Sequence, residues 1–494
     1  MASRPNILVI MSDQHARPFA GCYGNSLIRT PNLDRLASEG TLFTNAHCAS
    51  PVCVPSRMSF MTGRLPSRNR VWNNQGVLSS GIPTWAHALG AAGYETALIG
   101  RMHFLGSDQR HGFMQRPIGE GNARYLGAPE EGGPRYTRIP NATAGQQRDS
   151  FEYAGRGPSF YQHYDSEVTD EACQFLRERA DADRPFAAVT GWILPHCPFI
   201  GPREAFNYYY DRVPTDARIE GEPECIQSLH ETRHLKPRAT EEQIRVARAA
   251  YYAMIECVDA NVGRILHTLE ETDLAENTLV VYCSDHGEML GEHGVWSKKC
   301  FYDQSVGVPL ITRLPGLTRP GTVCDDLCSL IDLAPTFADL GDTPAMDVDG
   351  QSLMPLWNGN SNPNRTIVAE VADLNFGPFE WVGRMVRRGP WKLWQHISAD
   401  GEPWDPVLFN LEDDPDECLN LVDEPAHAER VESMTGDLNE GWHPTAVRRE
   451  VRQQLRDVEL LKQWGREVQP KHPDTYAWPG PEIEEEMEVL VRGS

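Results

Sequence analysis

The chain alternates short, uninterrupted apolar runs with longer segments of helical periodicity. Apolar runs that are typical of buried strands cover residues 7–11, 96–99, 186–192 and 279–283. Helical patterns lie between these runs, and the longest of them opens with a capping box at Thr240. Because strands and helices alternate, we predict an α/β fold with a doubly wound sheet.

The pattern changes near residue 365, after a polar stretch rich in asparagine. Beyond it, residues 382–394 and 407–411 are typical of strands in a smaller antiparallel sheet, and residues 447–464 have the pattern of a charged amphipathic helix. We therefore predict a first domain over residues 1–365 and a C-terminal α+β subdomain over residues 366–494, which contains the sheet, the helix and a tail. The tail is rich in proline and acidic residues, so either disorder or an arm to a neighbouring subunit is open for it.

Polar side chains follow each of the four apolar runs, at the point where a strand would end. These residues are Asp13 and Gln14, Arg101 and His103, His196, and Asp285 and His286. In open α/β sheets, ligands bind outside the carboxyl ends of the strands, so we expect these side chains to converge on one site. Simpler interpretations stay open for two of them, because Asp13 could cap the next turn and His196 could be a packed histidine between prolines.

A further candidate segment is Cys53-Val54-Pro55-Ser56-Arg57, whose proline suits the first turn of a helix. Cys53 and Arg57 are four residues apart, so they share one face of that helix. A helix N-terminus presents unpaired N–H groups and partial positive charge, which favour a bound anion. The pattern predicts a nucleophile precursor and a guanidinium beside an anion site, although an ordinary cysteine at a helix start has the same pattern.

Composition and charge exclude some classes of function. The chain has 494 residues, of which 40% are hydrophobic, and a net charge of −24, which argues against non-specific nucleic-acid binding. No apolar run approaches the roughly 18 residues that a bilayer-spanning helix needs, and the run at 7–11 is too short for a signal peptide. We therefore expect a cytoplasmic protein with no membrane and no nucleic-acid partner, in which the 12 cysteines are reduced.

Residues 53–57 resemble the Cys-x-Pro-Ser-Arg signature of the type I sulfatases, which belong to the alkaline-phosphatase-like superfamily. The resemblance extends over roughly residues 5–420 and includes segments 30–37, 284–287 and 408–417, and the block 102–113 looks most like the choline-sulfatase branch. It implies an α/β fold whose large, mixed but mostly parallel sheet is sandwiched by helices. It also implies a sulfuric ester hydrolase in which a separate maturase oxidises Cys53 to Cα-formylglycine. The hydrated aldehyde would attack sulfur, form a covalent sulfo-enzyme and release inorganic sulfate.

The same resemblance implies a divalent-cation site. Its ligands would be residue 53 together with Asp13, Gln14, Asp285 and His286. Oxygen ligands suit Ca²⁺ or Mg²⁺, and we favour Ca²⁺. Many members of the family have a second aspartate where this chain has Gln14, and an asparagine where it has His286. These departures lower the negative charge of the site, and the nitrogen ligand also admits Mn²⁺ or Zn²⁺.

Catalytic roles follow from the resemblance as well. Arg57, Arg101 and Lys298 would neutralise charge on the sulfuryl oxygens, together with the cation. His196 or Lys298 would protonate the leaving alcohol, and His103 would take a proton from the second hydroxyl of the hydrated aldehyde. Arg101 stands where most sulfatases have lysine, so its planar fork could contact either the nucleophile or the sulfuryl group.

For the substrate, we expect a small alkyl sulfate such as choline sulfate in an aromatic and acidic pocket. Residues 208–210 could contribute to this pocket unless they pack on the surface, and so could the C-terminal tryptophans and tyrosines. Sulfated sugars and aryl sulfates stay open. So do a phosphonate monoester or phosphodiester hydrolase with the same machinery, and a silent member that only binds sulfate esters. We also expect a homo-oligomer.

Overall fold

The computed structural model describes residues 4–121, 125–126, 148–217, 223–232, 235–373, 381–398, 401–470, 474, 476 and 486–491. Its strands are β1 Asn6–Ser12, β2 Thr41–Phe43, β3 Ala46–His47, β4 Glu95–Gly100, β5 Gly155–Arg156, β6 Phe186–Gly191, β7 Ile200–Gly201, β8 Thr278–Ser284, β9 Leu310–Arg313, β10 Thr322–Cys324, β11 Cys328–Ser329, β12 Thr366–Asp373, β13 Trp381–Arg388, β14 Trp391–Ile397, β15 Val407–Asn410 and β16 Glu488–Val489. Its helices are α1 Pro31–Glu39, α2 Cys53–Thr62, α3 Pro66–Asn69, α4 Trp85–Ala91, α5 Asp149–Glu152, α6 Phe160–Glu178, α7 Arg203–Tyr210, α8 Glu224–Thr232, α9 Glu241–Glu271, α10 Asp303–Val306, α11 Leu333–Gly341, α12 Met354–Trp357, α13 Ala428–Asn439 and α14 Pro444–Val468. Among these described residues, no helix combines the length and apolar character needed to cross a membrane.

Seven strands form the central sheet, in the order β10-β2-β9-β8-β1-β6-β4. Neighbouring strands are parallel except at β9, which is antiparallel to both β2 and β8. The four apolar runs that the sequence predicts as strands coincide with β1, β4, β6 and β8, which lie side by side. The predicted mixed, mostly parallel sheet is therefore confirmed.

Helices cover both faces of this sheet because each strand buries side chains on alternate sides. Leu8 and Ile10 of β1 pack in one core with α1, α6, α7 and α9. Ile7, Val9 and Met11 of the same strand pack in a second core with α2, α4 and α11. Since β1, β4, β6 and β8 run in the same direction, their carboxyl ends meet at one edge of the sheet, between these two layers.

A second, antiparallel sheet of β12, β13, β14 and β15 forms the C-terminal subdomain. Helices α13 and α14 pack on one of its faces through Met434, Leu438, Val447 and Val451. Its other face joins the core that contains α2 and α11. The predicted antiparallel sheet is confirmed, and β12 begins at Thr366, although the domain boundary itself stays a prediction.

The C-terminal tail lies partly outside the described residues, but residues 486–491 are described. There β16 pairs antiparallel with β5. Glu488 also forms ion pairs with Arg156 at 2.8 Å and with Arg203 at 2.6 Å. This part of the tail therefore pairs with its own chain, and the two alternatives for the tail as a whole stay predictions.

Candidate active site

Neighbouring strand ends bring four of the predicted residues together. Asp13 follows β1 and Asp285 follows β8, and the two strands are parallel neighbours, so both carboxylates emerge at the same edge of the sheet. Helix α2 begins at Cys53 and packs on the face of the sheet to which Ile7, Val9 and Met11 contribute. One ligand atom each from Asp13, Cys53, Asp285 and His286 lies within 4.8 Å of the others, and all four residues are buried. Segments that are distant in the sequence therefore form one cluster.

The Cys53 thiol faces the imidazole of His286. Its Sγ lies 3.1 Å from Nε2 of His286 and 3.7 Å from Oδ1 of Asp13. Nδ1 of His286 lies 2.9 Å from the carbonyl oxygen of Gly287, and because a carbonyl only accepts, Nδ1 carries the hydrogen. Nε2 therefore presents its lone pair to the cluster. Burial lowers the pKa of His286, which keeps the ring neutral.

This donor set fits a divalent cation. It offers two carboxylates and one imidazole nitrogen within a few ångströms, and hard cations prefer such oxygen-rich sets. Burial alone would raise the pKa of Asp13, but the charges of Arg101, His196 and other cations hold that pKa well below its usual value. Asp13 is therefore ionised, as a metal ligand must be.

The Arg57 guanidinium joins the two carboxylates. Its Nε donates to Oδ2 of Asp285 at 2.8 Å, and one terminal nitrogen donates to Oδ2 of Asp13 at 3.2 Å. The other terminal nitrogen donates to the carbonyl oxygen of Arg101 at 3.1 Å. All three nitrogens of this fully buried side chain are thus engaged. Arg57 positions the carboxylates, and its predicted contact with a sulfuryl oxygen stays a prediction.

Arg101 contacts the cluster and His103 rather than a single partner. Its Nε donates to Oδ2 of Asp13 at 2.7 Å, and one terminal nitrogen donates to Oε1 of Glu120 at 3.3 Å. The other terminal nitrogen lies 3.0 Å from Nδ1 of His103. A guanidinium only donates, so Nδ1 accepts and the hydrogen of a neutral His103 ring is on Nε2. Burial and the charge of Arg101 lower the pKa of His103 well below its usual value.

This arrangement bears on the predicted role of His103. The lone pair that would accept a proton is the one that Arg101 occupies, so the ring as placed donates from Nε2. Oε2 of Glu120 accepts the backbone N–H groups of Met102 at 3.2 Å and of His103 at 2.7 Å. It thereby holds His103 in a left-handed conformation, with φ of 63°. Proton acceptance by His103 stays a prediction.

Lys298 and Gln14 lie together at the other side of the cluster. Nζ of Lys298 donates to Oε1 of Gln14, and Nε2 of Gln14 donates to the buried carboxylate of Glu288. Burial would lower the pKa of Lys298, but the charges of Cys53 and Asp13 raise it above its ordinary value, so the ammonium is charged. Whether the Gln14 oxygen also binds a cation stays a prediction.

His196 follows β6, in a turn that a helix holds in place. Both oxygens of Asp165 on α6 accept from this turn, at 2.8 Å from the N–H of Ile193 and 2.8 Å from the N–H of Leu194. Nδ1 of His196 lies 2.6 Å from the carbonyl oxygen of Cys197 and so carries a hydrogen. Nε2 is therefore the atom of this ring that can give or take a proton.

The three tyrosines at 208–210 do not reach this cluster. They belong to α7, which packs on α9. The hydroxyl of Tyr209 donates to Glu256 at 2.8 Å, and the guanidinium of Arg29 lies 4.1 Å from the ring centre of Tyr208. These contacts support the alternative of a packing role, and a contribution of these tyrosines to a substrate pocket stays a prediction.

Comparison with known proteins identifies the family. A sulfatase family profile matches residues 5–343, and a profile described as N-sulphoglucosamine sulphohydrolase, C-terminal, matches residues 291–443. The chain belongs to the sulfatase family. The predicted recognition is confirmed, and the protein is a sulfuric ester hydrolase. The family implies a divalent metal and a formylglycine, for which the cluster at Cys53 is the candidate site.

Two curated relatives and one solved structure are similar to this chain. The sulfatase is 35% identical to a choline-sulfatase of Rhizobium meliloti (strain 1021), over 85% of this chain and 83% of that protein. It is 28% identical to arylsulfatase K of Rattus norvegicus, over 86% of this chain and 76% of that protein. The phosphonate monoester hydrolase of Agrobacterium radiobacter has the same fold, with a TM-score of 0.70, 24% identity and coverage of 88% and 95% of the two chains.

Sequence reasoning missed the buried carboxylates that support the site. Glu120, Asp165 and Glu288 are fully buried and accept backbone N–H groups next to predicted site residues. Glu288 lies two residues after His286, so its position in a recognised segment was a usable signal. Glu120 and Asp165 stand in segments with no such signal, and only the fold brings them to the site.

Proposed function

We propose that this sulfatase releases inorganic sulfate from an organic sulfate monoester by means of a Cα-formylglycine formed from Cys53. The position of the thiol carries this proposal, because Sγ lies 3.1 Å and 3.7 Å from two candidate metal ligands. A formylglycine at this position supplies the nucleophile, and the covalent sulfo-enzyme implied by the resemblance belongs to the proposal. A separate maturase, a homo-oligomeric assembly and a cytoplasmic location belong to it as well.

Four side chains would hold the cation beside residue 53. They are Asp13, Gln14, Asp285 and His286. We propose Ca²⁺, with Mg²⁺ or Mn²⁺ as alternatives, because two carboxylates and an amide oxygen outnumber the single nitrogen. A bound divalent cation supplies Lewis-acid stabilisation of negative charge.

The remaining side chains orient the reacting groups and manage protons. Lys298 is charged and fixed on Gln14, so it stabilises negative charge on the sulfuryl oxygens and is a poor proton donor. His196, whose Nδ1–H is committed to a carbonyl, gives a proton from Nε2 to the leaving alcohol when it is in the imidazolium form, and it is left neutral with its hydrogen on Nδ1. His103 holds its proton on Nε2 while Arg101 fixes the ring, and it accepts a further proton only when the contact at Nδ1 opens.

The substrate that we propose is a small alkyl sulfate such as choline sulfate. The 35% identity to a choline-sulfatase over 85% of this chain supports this choice over an aryl or sugar sulfate. The ring of Tyr161 meets the ring of His196 edge-on, with centroids 6.3 Å apart, so one aromatic side chain lies beside the proposed proton donor. An aromatic face is what a quaternary ammonium group would bind.

A substrate panel tests the proposal. The full chain, produced together with a formylglycine-generating maturase, is assayed with choline sulfate, an aryl sulfate, a sulfated sugar and a matched phosphonate monoester. We expect the highest kcat/KM with choline sulfate and no turnover by the Cys53→Ala variant. Faster hydrolysis of the phosphonate, or of an aryl or sugar sulfate, would overturn the proposed substrate. Turnover by Cys53→Ala would overturn the mechanism.

A further inference from the structure

Gln14 enters the site from a backbone that is fixed on both sides. Its φ of 72° is left-handed, a conformation that non-glycine residues adopt only when their surroundings hold them there. Its N–H donates to Oδ1 of Asp285 at 3.0 Å, and its carbonyl oxygen accepts the hydroxyl of Tyr251 at 2.7 Å. The starting point of the side chain is therefore set, and the remaining question is which end of its amide faces which neighbour.

Two neighbours answer this question, because each of them contacts one end of the amide. Oε1 of Gln14 accepts from Nζ of Lys298, and an ammonium can only donate. Nε2 of Gln14, which can only donate, donates to Oε2 of Glu288, whose other oxygen accepts two backbone N–H groups. The second hydrogen on Nε2 points towards the weakly accepting Sγ of Cys197, at 3.8 Å. A rotated amide would set the nitrogen of Gln14 against the ammonium of Lys298, so that two donors would face each other.

Glu288 is itself locked in place. Its Oε1 accepts the N–H of Leu290 at 2.8 Å and the N–H of Ser297 at 2.7 Å, and the side chain is fully buried. One oxygen is thus committed to the backbone, and the other is left for Gln14. Ser297 directly precedes Lys298, so the same carboxylate also holds the backbone from which Lys298 extends.

We propose that Glu288 is the positioning residue that turns the carbonyl oxygen of Gln14 towards Lys298 and the metal ligands. This inference rests on the metal site of the proposed function. It assigns to Glu288 a part in metal affinity, although the carboxylate is not a ligand. It also gives a physical reason why a glutamine can serve at position 14, since an amide needs an acceptor for its nitrogen whereas a carboxylate would not.

The substitution Glu288→Gln makes the idea testable. Two backbone N–H groups require an oxygen at the Oε1 position, so the new amide places its nitrogen where Oε2 was. That nitrogen opposes the nitrogen of Gln14, and either orientation of Gln14 then leaves two donors facing each other. Groups that orient metal ligands typically contribute about 10- to 100-fold in affinity, so we expect a loss of at least about tenfold in Ca²⁺ affinity.

A double-mutant cycle separates orientation from simple loss of charge. In a Gln14→Glu background, the carboxylate at position 14 accepts from both Lys298 and the new amide of E288Q, so no donors conflict. We therefore expect E288Q to weaken Ca²⁺ binding about tenfold more in the wild-type background than in the Gln14→Glu background. Ca²⁺ affinity of the full chains is measured by titration calorimetry, independently of turnover.

A matched control accounts for the cost of placing an amide where a buried carboxylate was. Glu370 is also fully buried and accepts from the N–H of Ser67 at 2.8 Å, in the C-terminal subdomain. Glu370→Gln should lower the unfolding midpoint and leave Ca²⁺ affinity unchanged.

Three results would overturn the inference. The first is a loss of Ca²⁺ affinity on E288Q that agrees within about threefold in the wild-type and Gln14→Glu backgrounds. The second is an equal loss of Ca²⁺ affinity in E370Q, and the third is a wild-type chain that binds neither Ca²⁺ nor Mn²⁺. Sulfate release by the wild type is measured in parallel, so a chain that binds metal but has no turnover would contradict the proposed function and not this inference.

Discussion

Removal of the Arg57 guanidinium should expose how strongly the two carboxylates repel each other. In Arg57→Met, Oδ2 of Asp285 loses the donor at 2.8 Å, while its Oδ1 keeps the N–H groups of Gln14 and His286. Asp13 keeps Arg101 at 2.7 Å. One buried carboxylate oxygen is thus left without its cation, and breaking such a pair costs about 3–5 kcal/mol of unfolding free energy.

A cation should recover part of this loss, because it supplies positive charge to the same two carboxylates. The loss of the positive Arg57 side chain also removes its repulsion of the bound ion, so Ca²⁺ should bind the variant more tightly than the wild type. Even with strong screening, one unit charge a few ångströms away contributes on the order of 1 kcal/mol or more. We therefore expect Ca²⁺ to raise the unfolding free energy of Arg57→Met by at least about 1 kcal/mol more than that of the wild type.

Denaturant unfolding of the full chain with a chelator and with excess Ca²⁺ measures both quantities. Arg384→Met is the matched control, since Nε of Arg384 pairs with buried Glu370 at 3.2 Å in the C-terminal subdomain. The decrease in unfolding free energy caused by Arg384→Met should be the same with the chelator and with excess Ca²⁺. The reasoning is refuted if Arg57→Met unfolds like the wild type, or if Ca²⁺ stabilises both arginine variants equally.

Three further substitutions test other parts of the site and the fold. His286→Ala removes the nitrogen ligand and should weaken metal binding at least about tenfold in calorimetry, with an unchanged circular dichroism spectrum, whereas unchanged affinity would exclude His286 as a ligand. Asp165→Ala leaves the N–H groups of Ile193 and Leu194 unpaired, so thermal unfolding should show a loss of about 2–5 kcal/mol, and kcat should fall because His196 shifts. Burial lowers the pKa of His396 from 6.5 to about 3, so the ring stays neutral in the folded protein at pH values where it is protonated in the unfolded chain. The folded state therefore loses stability relative to the unfolded state as pH falls from 6.5 towards 3. His396→Phe should remove about 2 kcal/mol of the decrease in unfolding free energy between about pH 7 and about pH 5, and an unchanged pH dependence would contradict the shift.

The central sheet was predictable because its strands are buried on both faces. Continuous apolar runs such as residues 7–11 and 279–283 stand out from the amphipathic helices around them, and they became β1 and β8. The residues after such runs were predictable as a site because parallel strands end at one edge. Asp13, Asp285 and His286 reached the same cluster as Cys53 for this reason.

The supporting contacts were not predictable, because they depend on how distant segments pack. Arg57 was expected to face a sulfuryl group, but both carboxylates and a backbone carbonyl occupy its guanidinium. Arg101 was expected to contact either the nucleophile or the sulfuryl group, and the structure places Asp13, Glu120 and His103 around its guanidinium. The acceptor role expected for His103 depends on which ring nitrogen is free, and no sequence pattern specifies a tautomer.

The central claim is that residue 53 acts as a formylglycine beside the cation ligands. The most direct measurement combines mass spectrometry of the peptide that contains residue 53 with sulfate release by the same preparation. We predict that the rate of sulfate release rises in proportion to the oxidised fraction of residue 53 and is zero when only the thiol is present. Full turnover by a preparation in which Cys53 is entirely unmodified would contradict the claim.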